Sequence, residues 1–420
     1  FIEMYIKDNK LSSEKVNMFQ RRIMGLVSYY SGDDKSLFAE KRYNKIVSNM
    51  HSYQQEVYDH FEAIEDKIEK SKPKSSSKSN KIPSTYKSFT RQSCNFTFPV
   101  IDSKMNGEKR PRPSNFKINE NEVQNLMEGK EIETKDKNYI QYLDMANLFM
   151  KKLDLFFKNI QVNDSKLKIS ILDDVEIFKK KYNYNYDKFW KEHKNKSNLL
   201  KQFHKCSCKI TAMIFNSLSS KGPLVMYSNY VKMEGLEVIK IYLKYFGFIK
   251  FEPNKSKDHY TYTEFHGSIS MEERARNNKF FNTKENIYEK VIKIILISPA
   301  GSEGISLMNV RQVHVLEPYW NEVRIEQLIG RAIRQCSHSA LPMNERYVDI
   351  YRYISARKNN KETTDENIQN LANKKKKLID SFLIPLKEIA VDCELFKNHN
   401  IKNNEYKCFK FTQDTQFDKN

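Results

Sequence analysis

The chain has 420 residues, of which 39% are hydrophobic and 30% are charged, so it is long enough for two or three domains with a sizeable core. No apolar run approaches the roughly 18 residues that a membrane-spanning helix requires, and no signal peptide is visible, which excludes a membrane protein. The formal net charge of +19 favours a polyanionic partner, although the abundance of Lys, Asn, Ile and Tyr also fits the compositional bias of an AT-rich genome.

Six cysteines are spread along the sequence without a paired CxxC motif. His204, Cys206 and Cys208 lie close together, but the second pair of ligands that a zinc site needs is missing. We therefore expect reduced cysteines in an intracellular protein rather than a disulfide scaffold. The first residue is Phe1 rather than Met, which predicts that the sequence is a piece of a longer chain.

The first hundred residues contain two helical patterns, a linker and a strand pattern. Residues 1–30 are typical of a helix followed by an extended segment, and apolar residues recur at helical spacing across 47–70. Residues 71–88 are rich in Lys, Ser and Pro, a composition that buries too little apolar surface for a core and therefore predicts a flexible linker. Residues 93–100 alternate as a short strand would, so 31–100 is predicted as helix, linker and strand.

The next segment, 101–220, is predicted to be a helical insertion. Its first part, 101–118, is rich in Pro and Lys and is typical of a loop, whereas apolar residues recur at helical spacing from Asn119 to about Leu218. Lysines cluster at 191–209. The insertion could clamp nucleic acid or a partner protein, and the sequence does not decide between them.

An α/β pattern begins at Lys221. Short apolar runs predict strands at 223–228, 261–265, 291–297, 313–316 and 347–354, and helical patterns fall at 233–246, after Ser270, at 322–335 and at 363–383. Ser270 and Glu273 have the spacing of a capping box, which supports a helix start there. Strands that alternate with helices predict a mainly parallel sheet.

The predicted helix at 322–335 carries two arginines on one face. At 3.6 residues per turn, Gln327, Arg331 and Arg334 share a face with Gly330, while apolar residues occupy the opposite face. Guanidinium groups fork, remain charged and donate several hydrogen bonds, which suits them to phosphate. An ordinary amphipathic helix with a solvated arginine face is the alternative interpretation.

A loop with two glycines lies upstream of this helix, at 298–304, directly after a predicted strand. Gly301 and Gly304 allow a backbone or a ligand to approach closely. Glu303 is acidic, so it is expected to orient a hydroxyl, a water molecule or an arginine rather than a phosphate. The loop favours the functional interpretation of the arginine face.

These segments carry a family resemblance. Gln327 to Arg334 resembles the QxxGRxxR motif of superfamily-two helicases and Swi/Snf-type translocases, and SPAGSEGISL at 298–307 resembles the preceding motif of those enzymes. The longer string GSEGISLMNVRQVHVLEPYWNEVRIEQLIGRAIRQCSH is similar to the helicase-like NTPases of poxviruses and giant DNA viruses. That group includes nucleoside triphosphate phosphohydrolase I and the small subunit of the viral early transcription factor.

The resemblance covers most of 1–30, 88–100 and 222–410 and implies a fold. Residues 221–360 would form a RecA-like helicase C-terminal domain, with 1–30 as the tail of the first RecA-like domain and 361–420 as a C-terminal helical extension. ATP and Mg²⁺ would bind jointly with that first domain. Neither a GxxxxGK[ST] phosphate loop nor a suitably placed DExx box occurs in this sequence, so the chain alone is predicted to be inactive.

The resemblance also assigns roles residue by residue. Arg331 and Arg334 would be catalytic, as arginine fingers that neutralise charge on the transferring phosphoryl group. The residues assigned to ATP binding are Gly301, Ser302, Glu303, Gly304, Gln327 and Gly330. The residues assigned to nucleic-acid binding are Ser228, Asn229, His266, Gly267 and Ser298. No metal ligand is assigned to this chain.

The function implied is the C-terminal half of an ATP-dependent helicase or translocase of viral type. It would act in viral transcription on DNA rather than RNA, with viral RNA polymerase or transcription factor subunits as partners, in the viral factory, the host cytoplasm or the virion. The alternative is a non-catalytic scaffold subunit that binds nucleic acid or protein in a viral transcription complex. A phosphate loop encoded upstream of Phe1 would favour the enzyme.

Overall fold

In a computed structural model of the chain, the residues described are 1–30, 37–71, 87–101, 110–116, 118, 137–253, 260–301, 304–401 and 406–409. Nearly all of the predicted linker at 71–88 lies outside them, as do Ser302 and Glu303. The chain divides into two compact units. The larger unit comprises 39–318 and 327–367, and the smaller unit comprises 1–38, 319–326 and 368–420.

The described part of the larger unit contains a seven-stranded sheet in which every strand pairing is parallel. Across the sheet the strands follow the order Glu40–Asn49, Tyr347–Ala356, Gln312–Val315, Leu224–Tyr227, Ile294–Ile297, Thr261–Phe265 and Ile249–Lys250. The three strands from Gln312–Val315 to Ile294–Ile297 are buried at every position. Such strands are typical of a parallel sheet covered on both faces, and the expected parallel α/β sheet of RecA-like type is confirmed.

The helices of the larger unit share one core with this sheet. Its described helices are Ser52–Ser71, Ser88–Asn95, Lys137–Lys166, Ile171–Tyr182, Tyr186–Glu192, Asn198–Cys206, Cys208–Ser217, Leu236–Tyr245 and Met271–Phe281. Phe149, Phe157 and Phe203 from the predicted insertion belong to the same buried cluster as Met226 and Leu296 of the sheet. The helical insertion therefore packs on the sheet. None of the described helices is long and apolar enough to cross a membrane.

The prediction of a strand at 93–100 is wrong. Residues Ser88–Asn95 form a helix, and the backbone NH of Phe96 still donates to the carbonyl of Gln92 at 2.9 Å. The alternation that suggested a strand comes from an extended segment in which Phe96 and Phe98 are buried. This segment is held by single contacts, such as the bond from Thr97 N to Cys206 O at 2.9 Å, and not by a strand ladder.

A strand at the edge of the sheet was missed by the sequence analysis. Residues Glu40–Asn49 pair in parallel along their whole length with Tyr347–Ala356. The helix predicted across 47–70 consequently begins only at Ser52. Most of the edge strand is exposed on both sides, so its sequence lacks the alternation of a half-buried strand.

The described part of the smaller unit consists of short elements. Its helices are Ile2–Tyr5, Val16–Ile23 and Lys397–Asn400, and Ile6–Lys7 pairs antiparallel with Lys10–Leu11. Two longer helices, Glu322–Ala332 and Thr364–Glu388, contribute residues to both units.

One pair of cysteines in the smaller unit contradicts the expectation of reduced thiols. Cys393 and Cys408 form a disulfide with their Cα atoms 5.6 Å apart, in a buried cluster with Ala390 and Tyr406. Their separation of 15 residues matches no thiol motif, so only the folded chain brings them together. Four cysteines are free thiols: Cys94, Cys206, Cys208 and Cys336. Among the described residues, no three His, Cys, Asp or Glu side chains are grouped to hold a metal ion.

Candidate functional site at the carboxyl edge of the sheet

The loops at one edge of the sheet gather most of the predicted site residues. Because the strands run parallel, the segments that follow Leu224–Tyr227, Thr261–Phe265 and Ile294–Ile297 leave from the same edge. These segments contain Ser228, Asn229, His266, Gly267, Ser298, Gly301 and Gly304. Ligands of open parallel α/β sheets bind outside the carboxyl ends of the strands, which makes this edge the candidate site.

The segment 298–304 is named here the glycine loop, and its residue Gly301 packs directly against the neighbouring strand end. The NH of Gly301 donates to the carbonyl of Ser298 at 3.0 Å, and Ser298 itself is fully buried. A Cβ at position 301 would lie 1.9 Å from the carbonyl oxygen of Phe265. Only glycine fits there, so the loop is in contact with the segment that begins at His266.

Gly304 requires glycine for a different reason. Its φ angle is +77°, in the left-handed region, while no atom lies within 4 Å of the position that a Cβ would take. The residue is exposed, so the constraint at this position is conformational rather than steric.

His266 lies at the end of its strand within a buried charge cluster. It is 4% exposed, and its Nε2 is 3.1 Å from Oε2 of Glu264, which also accepts from Lys240 at 2.8 Å. Burial alone would raise the pKa of Glu264, but His266 and Lys240 hold that pKa well below its usual range. The Nδ1 atom of His266 is buried without a hydrogen-bond partner. The adjacent Gly267 is also buried.

Ser228 and Asn229 are anchored to a carboxylate that the sequence analysis did not single out. The Ser228 hydroxyl donates to Oε1 of Glu317 at 3.0 Å, and the NH of Asn229 donates to the same oxygen. Asn95 donates to the other oxygen of Glu317 at 3.3 Å. Burial raises the pKa of Glu317, although the charge of Lys209 opposes the shift. Both Ser228 and Asn229 are buried, and their predicted contact with nucleic acid remains a prediction.

A buried lysine extends this network to three further elements. Nζ of Lys209, which is completely buried, donates to Asp365 at 2.7 Å and to Asn95 at 2.9 Å. Asp365 also accepts from the NH of Ser355 at 3.0 Å. Lys209 belongs to the lysine cluster that was considered for a clamp, and its burial removes it from any outer surface. The signal that could have identified Glu317 is its position directly after an apolar strand.

The helix Glu322–Ala332, named here the arginine helix, ends earlier than predicted. The prediction ran to Gln335, but the NH of Arg334 donates to the hydroxyl of Ser337 at 3.1 Å and Cys336 has a φ of +58°, so the chain turns there. As expected, Leu328 and Ile329 are buried. Both Arg331 and Arg334 are partly exposed.

Two contacts join the arginines to the segment that follows the glycine loop. Nη1 of Arg334 donates to the hydroxyl of Ser306 at 2.5 Å, and the carbonyl of Arg331 accepts from the NH of Leu307 at 3.2 Å. The guanidinium group of Arg331 has no hydrogen-bond or ion-pair partner within the part of the chain that the structure describes. Among the described residues, no contact of this group would have to break for an anionic ligand to bind.

Gln327 and Gly330 lie beside these arginines. Gln327 is exposed, and no described atom lies within 4 Å of the position that a Cβ on Gly330 would take. The close approach of another part of this chain, which would have explained Gly330, is not observed. Among the described residues, the space next to Gly330 is open.

The sequence of this chain is similar to a known family model and to several viral proteins. Residues 206–336 match the family model described as "Helicase conserved C-terminal domain". Protein R350 of Acanthamoeba polyphaga mimivirus, whose name proposes an ATP-dependent RNA helicase, is 39% identical over 416 residues, which cover 96% of this chain and 50% of R350. This chain thus spans about half the length of that relative.

Two further relatives come from other viruses. "Nucleoside triphosphatase I" of Heliothis armigera entomopoxvirus is 29% identical over 257 residues, covering 61% of this chain and 36% of the relative. "Termination factor NPH-I homolog" of African swine fever virus is 31% identical over 232 residues, covering 44% of this chain and 33% of the relative.

Proposed function

Since the chain carries a superfamily-two helicase C-terminal domain and is homologous to viral proteins named as helicases and NTPases, we propose that it is the C-terminal half of an ATP-dependent nucleic-acid translocase. A first RecA-like domain would complete the nucleotide site. The observation that carries the proposal is the pair of contacts between the segment after the glycine loop and the end of the arginine helix, made by Ser306 with Arg334 and by Leu307 with Arg331.

The described residues fit a phosphate group of ATP, but they do not fit Mg²⁺. The partly exposed Arg331, without a partner in the described chain, and the open space at Gly330 fit a phosphate group. No described cluster of carboxylates fits Mg²⁺, so its ligands would belong to the other domain. ATP, when bound, supplies the phosphoanhydride bond whose hydrolysis drives translocation.

Arg331 and Arg334 would act on charge that develops as this bond breaks. A guanidinium group can donate paired hydrogen bonds to phosphate oxygens. Arg334 would exchange its hydrogen bond with Ser306 for one with a phosphate oxygen. Because Ser306 follows the glycine loop, this exchange would transmit the state of the nucleotide site to the edge of the sheet.

Nucleic acid is the proposed polymer on which the domain moves, with DNA preferred over RNA. The side chains of Ser228, Asn229, His266 and Ser298 are buried, which favours a role in positioning the edge loops over direct contact with phosphates. We place the protein in viral transcription, with RNA polymerase or transcription factor subunits as partners, in the viral factory, the host cytoplasm or the virion. The name "Termination factor NPH-I homolog" of the African swine fever virus relative supports the role in transcription.

The test measures ATP turnover by the protein completed with its first RecA-like domain, and it compares arginine variants with the parent. Arg334→Ala should lower kcat by about a thousandfold and change ATP affinity little, since such an arginine acts mainly on the transition state. Arg334→Lys should not restore turnover, because an ammonium group lacks the planar fork. Arg42→Ala is the matched control, since Arg42 is about half exposed and pairs with Glu40 on the edge strand.

If the ATP turnover of the Arg334→Ala variant stayed within about threefold of that of the parent, the assignment of Arg334 as an arginine finger would be contradicted. If the completed protein bound nucleic acid but hydrolysed no ATP, the scaffold alternative would replace the enzyme.

A further inference from the structure

A small cavity that none of the proposed ATP and nucleic-acid residues lines contains three donors without an acceptor among the described residues. It is partly open to solvent and lies between the helices Ser52–Ser71 and Ser88–Asn95 and the segment 110–112. The residues that line it are Val57, Phe61, Phe89, Ser93, Phe96, Thr97, Phe98, Arg110, Arg112 and Glu234. Five of these ten are apolar, so donors among them find few partners.

Arg110 is 3% exposed and only partly satisfied. Its Nε lies 2.9 Å from Oε1 of Glu234, and its Nη2 donates to the side-chain oxygen of Gln92. Its Nη1 is buried without a partner. The acceptors that surround this arginine are therefore engaged, and one of its donors remains unsatisfied.

Arg112 is 9% exposed and has no carboxylate partner. Its guanidinium carbon lies 4.3 Å from the ring centre of Phe89 and 4.7 Å from that of Phe61. Its Nη1 is also buried without a partner. The nearby Glu65 accepts instead from the backbone NH of Phe89, at 2.7 Å. Burial, reinforced by the charge of Arg110, lowers the pKa of Arg112 to about 9, although the charges of Glu234 and Glu65 oppose the shift.

Thr97 supplies the third donor. Its hydroxyl is buried without a partner, although its backbone is hydrogen-bonded. Each buried donor left unsatisfied costs about 1–3 kcal/mol, and more when it is charged. A single ligand that accepts from all three residues would remove these costs together.

We propose that this cavity binds a small monovalent inorganic anion, chloride in the cell, between Arg110, Arg112 and Thr97. The lining residues are two arginines and one glutamate, and the carboxylate of Glu65 also acts on Arg112. A water molecule accepts at most two hydrogen bonds, whereas a halide accepts more and tolerates apolar walls. The anion would fix segment 110–112 against both helices and against Glu234, which precedes the helix Leu236–Tyr245.

Thermal unfolding of the 420-residue chain tests the site. At constant ionic strength, replacing gluconate by chloride should raise Tm by about 3 °C once chloride reaches roughly a hundred times its Kd. Arg112→Met keeps an apolar contact with the two rings and should abolish the difference between the anions. Arg276→Met, at an exposed arginine, should retain it. Equal Tm in chloride and gluconate for the parent, or the same chloride effect in Arg112→Met, would overturn the proposal.

Crystals of the unaltered chain grown in bromide provide a measurement that does not depend on a variant that folds. An anomalous peak within hydrogen-bond distance of both guanidinium groups and of the Thr97 hydroxyl is expected. An ordered water without anomalous signal, an empty cavity, or bromide bound only at surface lysines would show that the site is not an anion site.

Discussion

Three glycines near the candidate site should respond to alanine in three different ways. At Gly301 the new Cβ would lie 1.9 Å from the carbonyl oxygen of Phe265 and 2.7 Å from its carbon, whereas real Cβ contacts stay above 3.0 Å. The loop or the strand end must therefore move by about 1 Å, and both are main chain, which cannot rotate away. We expect Gly301→Ala to lower the free energy of unfolding by about 3 kcal/mol or more.

The other two substitutions meet no steric obstacle. Gly304 has a φ of +77° and free space around it, so alanine there should cost about 1–2 kcal/mol through backbone strain alone. Gly330 lies inside the arginine helix with open space beside it, so alanine should stabilise the fold by about 0.5–1 kcal/mol. If that space receives a phosphate group, the more stable Gly330→Ala variant of the completed enzyme should turn over more slowly than the parent.

The assay is urea unfolding followed by tryptophan fluorescence. In a Trp320→Phe background, Trp190 of the larger unit remains as the reporter, and its ring stacks on His204 with centroids 3.7 Å apart. The order expected for unfolding midpoints is Gly330→Ala, then the parent, then Gly304→Ala, then Gly301→Ala. A midpoint for Gly301→Ala at or above that of Gly304→Ala would refute the packing of the glycine loop on Phe265.

Three further predictions concern charge and covalent links. Burial raises the pKa of Glu317, so its carboxyl group binds a proton more tightly in the folded state than in the unfolded state. This proton binding stabilises the fold fully below the ordinary glutamate pKa, and the stabilisation is lost as pH rises through the pKa of the folded state. Urea midpoints of the parent should therefore fall relative to Glu317→Gln as pH rises, and a constant difference would contradict this. Reduction of the disulfide between Cys393 and Cys408, or the substitution Cys408→Ser, should destabilise the smaller unit by about 3 kcal/mol. Urea unfolding followed by the fluorescence of Trp320 in a Trp190→Phe background measures this change. An unchanged unfolding midpoint would argue against the disulfide. Binding of single-stranded DNA or RNA should weaken steadily with salt and depend little on sequence, because the chain carries a net charge of +19; an affinity that is flat with salt would show that these charges are not gathered on a binding surface.

The sequence by itself determined the parts of the fold that are encoded locally. The apolar runs at 223–228 and 291–297 correspond to the observed strands Leu224–Tyr227 and Ile294–Ile297, because a strand buried on both faces needs apolar residues at every position. The same holds for the arginine helix, whose buried face repeats at 3.6 residues. The resemblance of its motif pointed to loops that the structure brings to one edge of the sheet.

Other features depend on residues far apart in the sequence, and the tertiary structure alone decided them. The edge strand Glu40–Asn49 exists because Tyr347–Ala356 offers it a ladder, while its own side chains are mostly solvated. Residues 93–100 carried the pattern of a strand, but the partner nearest to them is the end of a helix. The local pattern of apolar residues indicates which face of a segment can be buried. It does not indicate which other segment will pack against that face.

The polar interior illustrates the same limit. Lys209 belongs to the cluster of lysines at 191–209, yet its side chain is completely buried. The burial is possible because Asp365, 156 residues away in the sequence, neutralises its charge. Arg110 and Arg112 lie in a segment whose composition is typical of a loop. Only the fold shows that both are buried and that one nitrogen of each lacks a hydrogen-bond acceptor among the described residues. A charged residue is buried only when a specific partner compensates its lost hydration, and that partner is defined by tertiary contacts rather than by neighbours in the sequence.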